Sequence, residues 1–264
     1  MRTIERVGKL FRVSKDFKPS DDYFPTGIEI FDNAMEGGFR EGELITISGP
    51  TGMGKTTFMQ NLTVNFHSIE VPSLWFTFEG NIWSLKEKFV RMGCDKTLMA
   101  YVPSTGLEEN LKFIKDIIVE ANEDHLCKIV FIDHLHRLIP LKDARMNIPM
   151  LVGSIVAEIK KIAVETNTII VLAAHTKKVY EDEGLSLNSI RDSALIANES
   201  DYVYLIERLQ KDKKKGNKPL SDKLEHSGSD WTNIAKIQLA KNRPFGTLVY
   251  RKFDVVNHKF IEKE

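Results

Sequence analysis

Cysteine is scarce. Two residues, Cys94 and Cys127, stand far apart among 264, and neither has a Cys or His at metal-ligand spacing. This excludes a disulfide framework and a zinc knuckle and predicts two buried free thiols. Long apolar runs are missing too: no stretch reaches the roughly eighteen apolar residues of a membrane-spanning helix. The opening residues, Met1 to Phe17, mix charges among apolar positions where a secretory signal has an apolar core. The expected compartment is the cytoplasm, with no membrane contact. Charge of one sign is also lacking. The 37 basic and 37 acidic residues cancel, so any contact with nucleic acid must come from a local patch.

What remains is ordinary globular composition, 42% hydrophobic and 28% charged, which excludes collagen and a disordered tail. Segments rich in β-branched and aromatic residues alternate with amphipathic stretches, the order of a parallel sheet covered by helices. The candidate strands are Leu44 to Ser48, Leu74 to Phe78, Lys128 to Asp133, Thr168 to Ala173, Tyr202 to Glu207 and Ala235 to Ala240. The third and fourth are almost continuously apolar and read as central. Helical spacing relates Phe58, Leu62, Phe66 and Ile69, then Leu111, Ile114, Ile118 and Ala121, then Leu151, Ile155, Ile159 and Ile162. Thr105 with Glu108 reads as a capping box opening the second of these helices. Thr247 to Phe253 and Val255 to Ile261 read as an antiparallel hairpin turning at Val256-Asn257-His258. Lys211 to Asp230 has few apolar residues and no period, and reads as a mobile surface loop. Residues 1–24 read as an arm or linker, too short for a domain, and 25–264 as a single domain.

The chemistry concentrates at Gly49-Pro50-Thr51-Gly52-Met53-Gly54-Lys55-Thr56, a phosphate-loop pattern lying after a strand and before a helix. With Thr57 these residues are the candidate cofactor-binding set. Backbone N–H groups and a helix N-terminus cradle a polyphosphate, Lys55 reaches its terminal phosphates, and the Thr56 hydroxyl ligates magnesium. Asp133, ending the buried strand Ile129 to Ile132, supplies a carboxylate as the second metal ligand. Glu79 follows the strand Leu74 to Phe78 and His175 follows Thr168 to Ala173, at the sheet edge where α/β proteins bind ligands. Spacing leaves Glu79 open between a water-activating base and a solvated loop acid. By the same standard His175 is either a γ-phosphate sensor or a loop histidine.

Phe24-Pro25-Thr26-Gly27-Ile28, then Gly37-Gly38-Phe39-Arg40-Glu41-Gly42-Glu43-Leu44, then the phosphate loop, resemble the opening of the RecA-like ATPase domain of DnaB-type replicative helicases, an opening shared with RadA and KaiC relatives. Trp75-Phe76-Thr77-Phe78-Glu79 and Ile132-Asp133-His134-Leu135 resemble the family's catalytic-glutamate and second magnesium segments. Ala174-His175-Thr176-Lys177 is similar to the histidine form in phage primase-helicases and the mitochondrial Twinkle helicase. Ser189 to Ala194 resembles an Arg-Glu-Ser-Gly motif, with Asp192 and Ala194 departing from it, and Ala240-Lys241-Asn242-Arg243 resembles a pair reaching the neighbouring subunit's nucleotide.

The resemblance implies an α/β RecA-like P-loop NTPase with a mostly parallel sheet and a C-terminal antiparallel hairpin. Its implied activity is hydrolysis of ATP with Mg2+ as a hexameric motor on single-stranded DNA. Glu79 becomes the base, His175 the sensor, Arg243 an arginine finger and Lys241 its companion. Lys177, Lys178, Arg191 and Asp192 become the DNA contacts, although Lys177 and Lys178 taken alone also read as a solvated charge pair. The basic run Lys213 to Lys215 is offset by nearby acids. No primase, zinc or helical N-terminal module is matched, so primase or another replication protein is an expected separate partner, met in the cytoplasm or the replication compartment of a host cell. Competing readings are a RadA- or KaiC-like recombination or regulatory ATPase and a non-catalytic ATP-binding adaptor or helicase loader.

Overall fold

A computed structural model describes residues 23–78, 81–103, 110–139, 147–177, 185–190, 193–210 and 231–263. One nine-stranded sheet organises them, in the order β3-β2-β4-β5-β1-β6-β7-β8-β9. The strands are β1 (Leu44–Gly49), β2 (Ser73–Thr77), β3 (Ala100–Tyr101), β4 (Ile129–Asp133), β5 (Ile169–His175), β6 (Tyr202–Gln210), β7 (Trp231–Asn242), β8 (Val249–Val256) and β9 (Lys259–Glu262). Pairing is parallel from β3 through β6 and antiparallel from β6 through β9. The expected mostly parallel sheet with an antiparallel C-terminal end is therefore present.

Period-two alternation divides the strand side chains between two cores. Ile45, Ile47, Ile129, Phe131, Ile169 and Val171 face α1 (Glu29–Ala34), α2 (Lys55–Ser68) and α3 (Ile82–Arg91). Val130, Ile132, Ile170, Leu172, Val203 and Leu205 face α4 (Leu111–His125), α5 (Ile148–Thr166) and α6 (Ser193–Glu199). Because β4 and β5 are covered on both sides, their apolar runs are almost continuous. Trp75 is fully buried, stacks on Phe131 at 4.7 Å and donates its indole N–H to the Thr63 hydroxyl at 3.0 Å. Each such aromatic contributes about 1.5–3 kcal/mol by burial, so this cluster holds β2 and β4 against α2.

Some boundaries differ from the sequence reading. The cap of α4 is Asn110, whose side chain accepts from Phe113 N–H at 2.8 Å, while Thr105 and Glu108 lie outside the described residues. Ile69 sits just past α2 and is 43% exposed, because the chain has already turned there. The hairpin turns at Asn257-His258, both with positive φ, as a tight two-residue connection requires. Cys127 is buried with its thiol pushed up to about 11 by desolvation, but Cys94 is only partly covered. Phe24, expected in the arm, pairs with Phe39 through two backbone hydrogen bonds. Residues 1–22 and 211–230, the rest of the arm and the expected surface loop, lie outside the described residues. No helix among the described residues is long and apolar enough to cross a membrane.

Candidate nucleotide site

The phosphate loop forms where β1 runs out against β6. A Cβ on Gly49 would lie 2.3 Å from the Ile206 carbonyl oxygen, so the close approach of β6 demands glycine. Gly54 caps α2 in the left-handed region at φ 104°, which aims the first-turn N–H groups into the loop. Lys55 is buried and donates from Nζ to the carbonyls of Gly49 (2.8 Å) and Pro50 (3.1 Å), lying across the concavity that a polyphosphate would fill. Met53 is fully buried, and its sulfur accepts the backbone N–H of Arg208 at 3.3 Å.

The register delivers the remaining groups. Thr77 of β2 pairs with Asp133 of β4, and Gly49 of β1 with His175 of β5. The Thr56 hydroxyl donates to Asp133 Oδ2 at 2.8 Å, and that carboxylate is 2% exposed. A hydroxyl and a buried carboxylate form the hard, oxygen-only donor pair that suits magnesium, which takes its remaining ligands from water and phosphate. Asp133 Oδ1 lies 3.2 Å from Nε2 of the buried His134. The His134 ring stacks on His175 at 4.4 Å, and His136 lies 5.4 Å from the same ring.

Two small cavities open on either side of Thr56. One, about 170 Å³, is lined by the phosphate loop, Lys88, His134 and His175. The other, about 190 Å³, is lined by Thr77, Asn81, Ser84, Lys88 and Asp133. Each is smaller than a typical ligand pocket of about 300–1,000 Å³, so each suits an occupant the size of a phosphate, a metal ion or water. Partial burial, then the Arg91, Lys88 and Arg208 cations, push the His258 imidazole below its ordinary value. Asn61 of α2 holds the β8–β9 hairpin beside the loop, donating to the His258 carbonyl at 2.8 Å and accepting from Phe260 N–H at 3.0 Å.

The expected site residues thus fall into three groups. Gly49 to Thr57, Asp133 and His175 converge at the carboxyl edge of the sheet. Glu79 lies outside the described residues, although Thr77 before it and Asn81 after it both line the second cavity. Lys178, Arg191 and Asp192 also lie outside them, while Lys177 is exposed just past β5 and donates its backbone N–H to the Ser189 carbonyl at 2.8 Å.

Lys241 and Arg243 sit at the other end of the sheet. Asn242 pairs with Tyr202 at the start of β6, and Asp201 N–H bonds the Leu44 carbonyl. The length of β1, roughly 16 Å at about 3.3 Å per residue, therefore separates them from their own phosphate loop. Lys241 Nζ donates to the carbonyls of Ala197 (2.5 Å), Asn198 (3.2 Å) and Ser200 (2.8 Å), and Arg243 also donates to Asn198. Both cations cap the end of α6. The sequence reading missed Lys88, His134, His136 and Arg208. The signal was there for the histidines, one directly after Asp133 and one three residues past it, but neither local pattern nor spacing marks Lys88 or Arg208.

A family model described as "ATPase: KaiC" matches residues 24–192. The circadian clock oscillator protein KaiC of Prochlorococcus marinus (strain MIT 9313) is 29% identical over 103 residues, covering 35% of this chain and 21% of that protein. The chain therefore spans about a fifth of the length of this relative. Among solved structures, a DnaB-like replicative helicase, described with its interactions with primase, superposes with a TM-score of 0.73 at 16% identity over 96% of this chain and 65% of the other. A separately solved ATPase domain does so with 0.73 and 16% over 93% of this chain and 94% of the other. A KaiC-like protein from the hyperthermophilic archaeon Pyrococcus horikoshii gives 0.67 and 17% over 92% of this chain and 99% of the other. The fold is thus the α/β RecA-like ATPase fold.

Proposed function

The chain belongs to the KaiC ATPase family, and from that premise we propose that it hydrolyses ATP with magnesium as a ring-shaped, DnaB-type hexameric motor on single-stranded DNA. The observation that carries this reading is the meeting of Lys55, Thr56, Asp133 and His175 at one strand edge, in a fold that the DnaB-like replicative helicase shares over nearly all of this chain.

Lys55 exchanges the Gly49 and Pro50 carbonyls for terminal phosphate oxygens, and the α2 N-terminus adds its N–H groups. Thr56 and Asp133 hold the magnesium ion, which when bound neutralises charge on the phosphates. Glu79 orients and deprotonates the attacking water, and His175 reports the terminal phosphate. Arg243 and Lys241 leave the α6 carbonyls to meet the phosphates of a neighbouring subunit, since they cannot reach their own. Such a cation stabilises charge developing on the transferred group and ties turnover to assembly. Lys177, Lys178, Arg191 and Asp192 contact the DNA, and a separate primase or replication protein is the expected partner in the cytoplasm or a replication compartment.

The family match favours a second reading, a KaiC-like regulatory ATPase that does not use DNA. Steady-state hydrolysis with and without a long single-stranded DNA separates the two. Strong stimulation by DNA, abolished in Lys55→Ala, is the expected result. Turnover indifferent to DNA favours the regulatory ATPase, and absence of turnover favours an ATP-binding adaptor or helicase loader.

A further inference from the structure

His134 is as deeply placed as the groups it adjoins, at 3% exposure, and it touches two of them. Its Nε2 lies 3.2 Å from the Asp133 carboxylate, which in turn accepts from Thr56. Its ring face lies 4.4 Å from His175 at an interplanar angle of 23°. His136 approaches His175 from a second direction at 5.4 Å and 47°. A polar chain therefore runs from the phosphate-loop hydroxyl through Asp133 and His134 to the end of β5. From there the backbone continues to the bridge between Thr176 and Ile190.

An imidazole at a strand end has two ring orientations and freedom about its side-chain torsions, and a sensor must present one nitrogen to the cavity. A deeply buried ring stacked face to face on the imidazole removes that freedom. We propose that His134 is a positioning residue that, through its stacked ring, holds the His175 imidazole toward the terminal phosphate. This rests on reading Asp133 and His175 as nucleotide-site groups. It adds that the residue after the metal carboxylate sets the sensor's geometry.

The test is a double-mutant cycle joined to a spectroscopic reading. Steady-state ATP hydrolysis is measured for the wild type, His134→Ala, His134→Phe, His175→Ala and the His134→Ala/His175→Ala pair. His134→Ala is expected to lower kcat about tenfold with KM within about twofold, and the double variant to be no slower than His175→Ala. His134→Phe keeps the stack and is expected to stay within about threefold of wild-type kcat, and His134→Leu, which fills the space without an aromatic face, stands in if His134→Ala does not fold.

In parallel, the imidazole NMR signals of His175, assigned by their loss in His175→Ala, are followed on adding magnesium with ATPγS or ADP. A difference between the two nucleotides is expected in the wild type and His134→Phe and is lost in His134→Ala. Losses of kcat that multiply in the double variant, a phenylalanine no better than alanine, or an unchanged His175 response in His134→Ala would each overturn the proposal. If the wild type does not hydrolyse ATP, the functional reading fails and the NMR arm decides the role of His134 by itself.

Discussion

The two ends of strand β1 carry similar numbers of ionisable groups and treat them in opposite ways. At the carboxyl end Lys55, Lys88, Asp133, His134 and His175 surround two small cavities, Lys88 lining both and the buried Asp133 one of them. At the amino end opposite charges are paired directly. Asp201 accepts from Leu44 N–H at 2.8 Å and from Lys160 Nζ at 2.6 Å, Arg243 lies 3.6 Å from the same carboxylate, and Lys160 also donates to the Gly42 carbonyl. The first end leaves open space beside its charged groups, and the second satisfies its charges internally. A trans role for Arg243 thus requires it to exchange one set of partners for another when a neighbour docks.

Several substitutions would break or sharpen this contrast. Arg243→Ala is expected to lower turnover about a thousandfold under assembling conditions while leaving nucleotide affinity of the isolated subunit unchanged. Stopped-flow binding beside hydrolysis checks it, and retained turnover removes the finger assignment. Asp201→Ala leaves a part-buried Lys160 unpaired and is expected to cost about 3 kcal/mol of stability, read as a lower denaturant midpoint with nucleotide binding intact.

Glu43 at the same end tests the pairing through pH. Burial, outweighing the hydrogen bond from Arg40 N–H, raises its carboxyl to about 7 from an ordinary 4.5. The folded state therefore holds a proton that the unfolded chain has released between those values, and stability falls as pH rises through that window and levels above it. Glu43→Gln removes the slope. It should gain about 3 kcal/mol on the wild type at pH 8 and nothing at pH 4, measured by urea unfolding. Lys88→Ala, at the open end, is expected to weaken ATP hydrolysis about tenfold with no change in melting temperature.

How much was legible follows chain distance. The phosphate loop could be read because its groups are consecutive and its backbone is set by glycines and a helix start. Asp133 and His175 were legible because buried parallel strands announce themselves by apolar runs, and ligands gather at their carboxyl ends. The α4 start was misplaced because Thr105-Glu108 and Asn110 both satisfy local capping chemistry, and the observed helix begins after Asn110. Lys241 and Arg243 were legible as cations after a strand. That they cap α6, far from their own phosphate loop, depended on strand order.

The sequence by itself therefore determined the alternation of strands and helices, the phosphate loop and the carboxylate that answers Thr56, because each is written in neighbouring residues or in a simple period. Only the tertiary structure decided which side chains meet across elements. The stack of His134 on His175, the reach of Lys88 from α3 to both cavities, and the grip of Asn61 on the β8–β9 hairpin all arise there. The physical reason is that such contacts are set by sheet order and register, which follow from how the whole core packs and not from any local run of residues.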